Sequence, residues 1–171
     1  YQPRSSEGTF QTSSPSMDIS KASNFERFIF DLLGRDSVQL SSYWKEVDQG
    51  GSFKLSEDEF DLISGFGFIS SSSQHTNRIK LISNYFERFG IMIDPHTADG
   101  IKVALDHIDQ DTPMIVLETA LPIKFEQSIL EATGKKPERP EGLKDIELLK
   151  QKLEILDNDV DLIRLFIREK T

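Results

Sequence analysis

A helix-rich α/β fold, with one or two strands among many helices, is what three features of this sequence predict. Apolar residues recur at three- and four-residue spacing in segment after segment, the mark of helices with one buried face. Met114 to Leu117, behind Pro113, is an apolar run too short for a helix and long enough for one buried strand. That run stops at Glu118-Thr119 and turns into a helix at Pro122, and ligands of open α/β sheets sit just beyond the carboxyl ends of strands.

The elements follow in chain order. Residues 1–22 are a polar lead-in, rich in Ser and Thr and without an initiator Met, and they read as the continuation of an upstream part. Ser23 with Glu26 has the spacing of a capping box, and Phe25, Phe28, Ile29, Leu32 and Leu33 then form one apolar face that Gly34 can end. Asp36 caps a second helix to about Gln49, with Val38, Leu40, Trp44 and Val47 inward. Ser56 and Glu59 repeat the capping-box spacing ahead of a short helix through Ile63. Phe66 to Ser73 is a loop, either a flexible connector or a ligand-facing hinge.

Ile79, Ile82, Tyr85, Phe86 and Phe89 mark a helix closed by Gly90, and Ile91 to Ile93 is an extended link. Asp94-Pro95 is an N-cap with proline at the first helical position, where its missing N–H is no loss, and Ile101, Ala104, Leu105 and Ile108 continue that helix. Beyond the strand, Phe125, Ile129 and Leu130 face inward on a helix ending near Gly134. Lys135 to Gly142 is a Pro-rich linker, followed by helices from Asp145 to about Leu156 and from Asp159 to about Glu169. The organisation is therefore a lead-in (1–22), a helical and α/β part (23–134), and a linker with C-terminal helices (135–171).

Composition narrows the function classes. A net charge of -9 and a pI near 4.8 argue against a nucleic-acid partner, because phosphate contacts need clustered Lys and Arg. No run reaches the roughly 18 apolar residues of a membrane span, so the chain reads as cytoplasmic, with no membrane partner. With no Cys there is no disulfide, thiolate site or Cys nucleophile. His75, His96 and His107 lack the i, i+4 spacing of a helical metal pair, and no metal site is expected.

No Walker loop, dinucleotide fingerprint or nucleophile elbow is present, so chemistry must lie in SPSMD (14–18), IDPHTADG (93–100) or LETALP (117–122). His96-Thr97 lies in the first turn of a helix and reads as a capping cluster, a general base or an anion site. Thr119 is a structural turn residue or a hydrogen-bonding group at a strand end. Glu118, closing a buried strand, needs a partner or exposure. Lys124 is a solvated helix-face lysine or, if desolvated, a nucleophilic amine.

Taken together, Ser14 to Asp36, GFGFIS (65–70), IDPHTADG and MIVLETALPIKF (114–125) resemble the C-terminal portion of the threonine synthase family, in order and over nearly the whole chain. The resemblance implies part of a fold type II enzyme dependent on pyridoxal 5'-phosphate, with one or two strands of an incomplete sheet. It implies a carbon–oxygen lyase acting on O-phospho-L-homoserine, whose cofactor lysine and phosphate-binding segment belong to a missing N-terminal part of the same chain. None of Lys21, Lys54, Lys102 or Lys124 sits in the matching lysine motif, so no catalytic residue is expected here and the piece is expected to be inactive alone.

In that family the threonine of a TAHPAKF pattern lies against the pyridine nitrogen, and Thr119 matches it as the cofactor-binding residue; a hydroxyl there suits an unprotonated ring nitrogen. Ser16, Asp18, His96, Thr97 and Glu118 are the candidates for lining or supporting the cleft. Leu121 and Ile123 depart from the pattern's His and Ala. Two other readings are a threonine-synthase-like phospho-lyase that omits the hydration step and a non-catalytic acidic helical interaction module.

Overall fold

The computed structural model describes residues 1–4 and 9–170, which form two compact units, Tyr1–Pro137 and Glu138–Thr171. In the first unit, α1 (Phe25–Leu32), α2 (Ser37–Asp48) and α3 (Glu57–Leu62) precede α4 (His75–Phe89), α5 (Pro95–Asp106) and α6 (Glu126–Thr133). The second contains α7 (Val160–Lys170). No helix of the described residues is long and apolar enough to cross a membrane.

Helix starts follow local chemistry. Asp36 accepts from the Val38 and Gln39 amides at 2.9 and 3.0 Å, opening α2. The Ser56–Glu59 box is reciprocal: the Glu59 amide donates to Ser56 Oγ at 3.2 Å and the Ser56 amide to Glu59 Oε2 at 2.8 Å. That backbone bond, aided by Gln39 and the Ser56 hydroxyl against the opposing effect of burial, holds the Glu59 carboxyl below its usual range. At α1 the expected Ser23–Glu26 box is absent. Asn24 takes the cap position with helical backbone angles and makes no side-chain cap bond, so the motif's spacing lies one residue out of register with the helix.

Two apolar clusters hold the first unit. Ile29, Leu32, Leu40, Trp44, Val47 and Phe53 join α1 to α2, with Tyr43 stacked on Phe53 at 4.6 Å. Ile82, Ile93, Ala98, Ile101 and Ile129 bind α4, α5 and α6 together. Ile129 is completely buried. Ile129→Ala is expected to cost about 2–5 kcal/mol, read as a lower urea midpoint at unchanged slope. Phe28, half-buried with its ring edge-on to Phe66 and Phe68, is expected to cost less than the roughly 3–5 kcal/mol of a fully buried Phe.

Val38 and Leu130, expected to face inward, are exposed, as are Phe89 and Leu105 of the helical apolar pattern. Ile108, expected to continue α5, lies beyond its end at Asp106 and is exposed too. The helix expected over 145–156 is reduced to one 3-10 turn, Ile146–Leu148, and the rest is irregular. A short helix in water needs a packed face, and Leu148, Leu149, Leu153 and Ile155 are all exposed here.

The run Met114–Leu117 is the main departure from expectation. No strand occurs among the described residues, and the run is neither paired nor buried: Ile115 is 81% and Leu117 78% exposed. A strand exists only through hydrogen bonds to a neighbouring strand, and no second strand is available here. The alternation of a strand nevertheless persists, because Val116 points inward onto the α4–α6 cluster. It lies over Gly100 on α5, where a Cβ would come into ordinary contact with Val116 Cγ1 at 3.4 Å.

Candidate functional site

The site grows from the start of α5. Asp94 has extended backbone angles and Pro95 stands at the first helical position, so the carboxylate folds back over the helix terminus. Ile93, Ala98 and Ile101 anchor this turn in the apolar cluster, and Asp94 is left with no exposed surface. A buried carboxylate must find donors.

Asp94 finds them in three places. Its Oδ1 accepts the His96 amide at 2.9 Å, the His96 ring Nδ1–H at 3.0 Å and the Thr97 amide at 3.4 Å. Its Oδ2 accepts the Thr97 hydroxyl. The Thr119 hydroxyl, 25 residues away, reaches both oxygens at 3.3 and 3.4 Å. Burial is the largest single influence on this carboxyl and opposes its ionisation, but the bonds from Thr97 and His96 together outweigh it and hold the pKa below the ordinary 3.8. Asp94 is a carboxylate.

His96 is locked as well. The Ser16 amide donates to His96 Nε2 at 3.0 Å, so that nitrogen is an acceptor and the ring proton lies on Nδ1, facing Asp94. Phe125 packs against the ring edge-on at 4.8 Å. With both nitrogens engaged and the residue only 8% exposed, His96 has no lone pair to offer as a base. The first amides of α5 are likewise taken by Asp94, so this helix terminus offers no anion site.

Thr119 is tied at two atoms. Its amide donates to Thr97 Oγ1 at 3.2 Å while its hydroxyl donates to Asp94, yet the residue as a whole is exposed. It is an exposed residue whose hydroxyl is oriented by a buried negative charge.

Of the residues named from the sequence, His96, Thr97 and Thr119 thus converge on one carboxylate, and Ser16 joins them through the His96 ring. Asp18 does not join them: it accepts the Thr12 amide at 2.7 Å and the Thr12 hydroxyl at 2.8 Å and lines a separate cavity of about 390 Å³. Glu118 is exposed, which relieves the need for a buried partner, and Lys124 is an exposed residue of the 3-10 turn Pro122–Phe125. Lys21 pairs with Asp48 and Lys102 with Asp106, and Lys54 is exposed.

Two buried charged groups beside these residues are not singled out by any motif in the sequence. Asp94 was read only as a cap, and its spare lone pairs were the available signal. Arg78, 6% exposed, bonds Asp99 at 2.7 Å, Ser13 Oγ at 3.0 Å and the Ser73 carbonyl at 3.2 Å on the wall of the Asp18 cavity. An arginine on an amphipathic helix carries no sequence mark of burial.

Comparison with known proteins adds to this geometry. Residues 97–167 match the family model described as threonine synthase, C-terminal. A threonine synthase of Methylobacillus glycogenes is 55% identical over 99% of this chain and 36% of its own length. One from Corynebacterium glutamicum is 48% identical over 98% of this chain and 35% of its own length. The crystal structure of pyridoxal-phosphate-bound threonine synthase from Brucella melitensis superposes with a TM-score of 0.76 at 34% identity, over 99% of this chain and 36% of that one. The chain spans about a third of the length of these relatives.

Proposed function

The chain belongs to the threonine synthase family, and from that premise we propose that it is the C-terminal part of an enzyme converting O-phospho-L-homoserine and water into L-threonine and phosphate. One observation carries this reading: agreement in sequence and fold along 99% of the chain with a threonine synthase that binds pyridoxal phosphate.

The residues present fit one edge of that cofactor. Thr119 is an exposed residue whose hydroxyl is held by Asp94 and whose amide is held by Thr97, an arrangement suited to a ring nitrogen. When bound, pyridoxal phosphate supplies an electron sink for the carbanionic charge of the reaction. This chain's own residues do the positioning. Asp94 fixes the Thr119 hydroxyl, Thr97 fixes its backbone, and Ser16 and His96 hold the lead-in against α5. Ser16, His96, Thr97 and Glu118 support the cleft in this reading, and Asp18 lines the separate Arg78 cavity. The lysine and the phosphate cradle come from elsewhere in the protein, and the isolated chain is expected to release no phosphate.

Residues 1–22 in this reading lead in from the catalytic part, 23–134 belong to the large domain and 135–171 form a linker and terminal helices. Met114–Leu117 becomes a strand when a neighbour from outside this chain pairs with it and covers Ile115 and Leu117. Amide exchange across these residues is expected to be far slower in the intact protein than in the isolated chain, and equal rates would count against the strand. The intact enzyme works in the cytoplasm.

The assay is direct. The intact, cofactor-loaded protein is expected to convert O-phospho-L-homoserine into equal amounts of phosphate and threonine. Phosphate accompanied by 2-oxobutyrate would indicate a phospho-lyase that omits hydration. No phosphate at all would end the reading, in favour of a non-catalytic module.

A further inference from the structure

Resting on that reading for the chain that lies ahead of Tyr1, we propose that the residues immediately before Tyr1 form a short antiparallel strand beside Phe53–Leu55. That strand places an apolar side chain in the groove of about 580 Å³ that α1 and α3 share with Tyr1 and Phe53. The occupant of this groove is the upstream part of the same protein, and the contact ties α1 to α3 to the part that carries the cofactor lysine.

Tyr1 and Phe53 exchange both of their backbone bonds. The Tyr1 nitrogen donates to the Phe53 carbonyl at 2.5 Å, and the Phe53 amide donates to the Tyr1 carbonyl at 3.1 Å. Such a doubly bonded pair is the repeating unit of an antiparallel ladder, and its successor lies two residues on along one chain and two residues back along the other. Here the successor pairs Leu55 with the second residue ahead of Tyr1. The Leu55 amide and carbonyl make no hydrogen bond among the described residues, so both are open where that residue arrives.

The side chains have the matching phase. The Tyr1 and Phe53 rings share one face, with 5.6 Å between centroids, as directly opposed residues do. Phe53 is buried, Lys54 exposed and Leu55 half-buried, the alternation of a strand with one covered face. The second residue ahead of Tyr1 therefore points to that same face, where Phe25, Leu55, Phe60 and Ile63 line the groove. Phe60 is 65% exposed there, and open apolar surface along a groove marks a contact site. This chain spans about a third of the length of its relatives, so ample chain exists to fill it.

The experiment places the photo-cross-linker p-benzoylphenylalanine at position 60 of the intact protein and identifies the captured peptide by mass spectrometry. Capture is expected in the few residues ahead of Tyr1. Capture of another part of the protein, or of a second copy, would overturn the proposal. Amide exchange in the unmodified intact protein reads the register: the Leu55 amide is expected to exchange roughly 100-fold more slowly than that of Lys54, which points away from the new strand. Equal rates would overturn the strand while phosphate release from O-phospho-L-homoserine left the enzyme assignment intact. An intact protein with no chain ahead of Tyr1 would overturn both.

Discussion

Asp94→Ala is expected to destabilise the folded chain by about 3–5 kcal/mol, because it deletes an N-cap and strands several buried donors in one step. An isolated cap is worth about 1 kcal/mol. The larger figure follows from the His96 ring N–H and the Thr97 hydroxyl, which lose their acceptor in a place that water does not reach. Urea titration at neutral pH measures it, and a loss below about 1 kcal/mol would mean that the cluster is only a cap. Asp94→Asn keeps one acceptor and is expected to lose less.

The same residue sets an acid limit. Its carboxyl titrates below the ordinary 3.8 when folded, so its contribution is complete above that pH and is lost as pH falls through the lower folded value. Glu59, also lowered, acts in the same direction from its ordinary 4.5 downward. The stability gap between wild type and Asp94→Ala is therefore expected to narrow below about pH 4, and a gap independent of pH would contradict an ionised Asp94.

Thr119→Val is expected to separate stability from activity. The residue is exposed and Asp94 keeps four other hydrogen bonds, so the stability change should stay within about 1 kcal/mol. In the intact enzyme, kcat/KM is expected to fall roughly 100-fold, the scale of removing one positioned hydrogen bond at a reacting centre. Full activity in the valine variant would remove Thr119 from the site.

What could be read from the residues divides by distance along the chain. The caps at Asp36, Ser56 and Asp94 were legible because their partners lie two or three residues away. The ends of α4 and α6 were legible because only glycine readily adopts the left-handed angles seen at Gly90 and Gly134, with φ of 69° and 67°. Thr119 itself was reached through family resemblance, and the local pattern left it a turn residue. The Asp94–Thr119 and Ser16–His96 bonds span 25 and 80 residues, and no periodicity encodes such pairs. The burial expected of Met114–Leu117 is not met within this chain for the reverse reason: an apolar run states a need for cover without saying which part of the protein supplies it.

Two anchors on α5 limit the tolerance of this segment to length change. Val116 lies over Gly100 and Thr119 is bonded to Thr97 and Asp94, so Leu117 and Glu118 alone must span the distance between them. One residue inserted in the exposed 109–112 turn is absorbed before Val116 and leaves that span intact. The same residue inserted between Leu117 and Glu118 turns the threonine away from its carboxylate while every side chain of the cluster is still present. The evolutionary record of this segment should therefore show insertions and deletions ahead of Pro113 and a constant count from Val116 to Thr119.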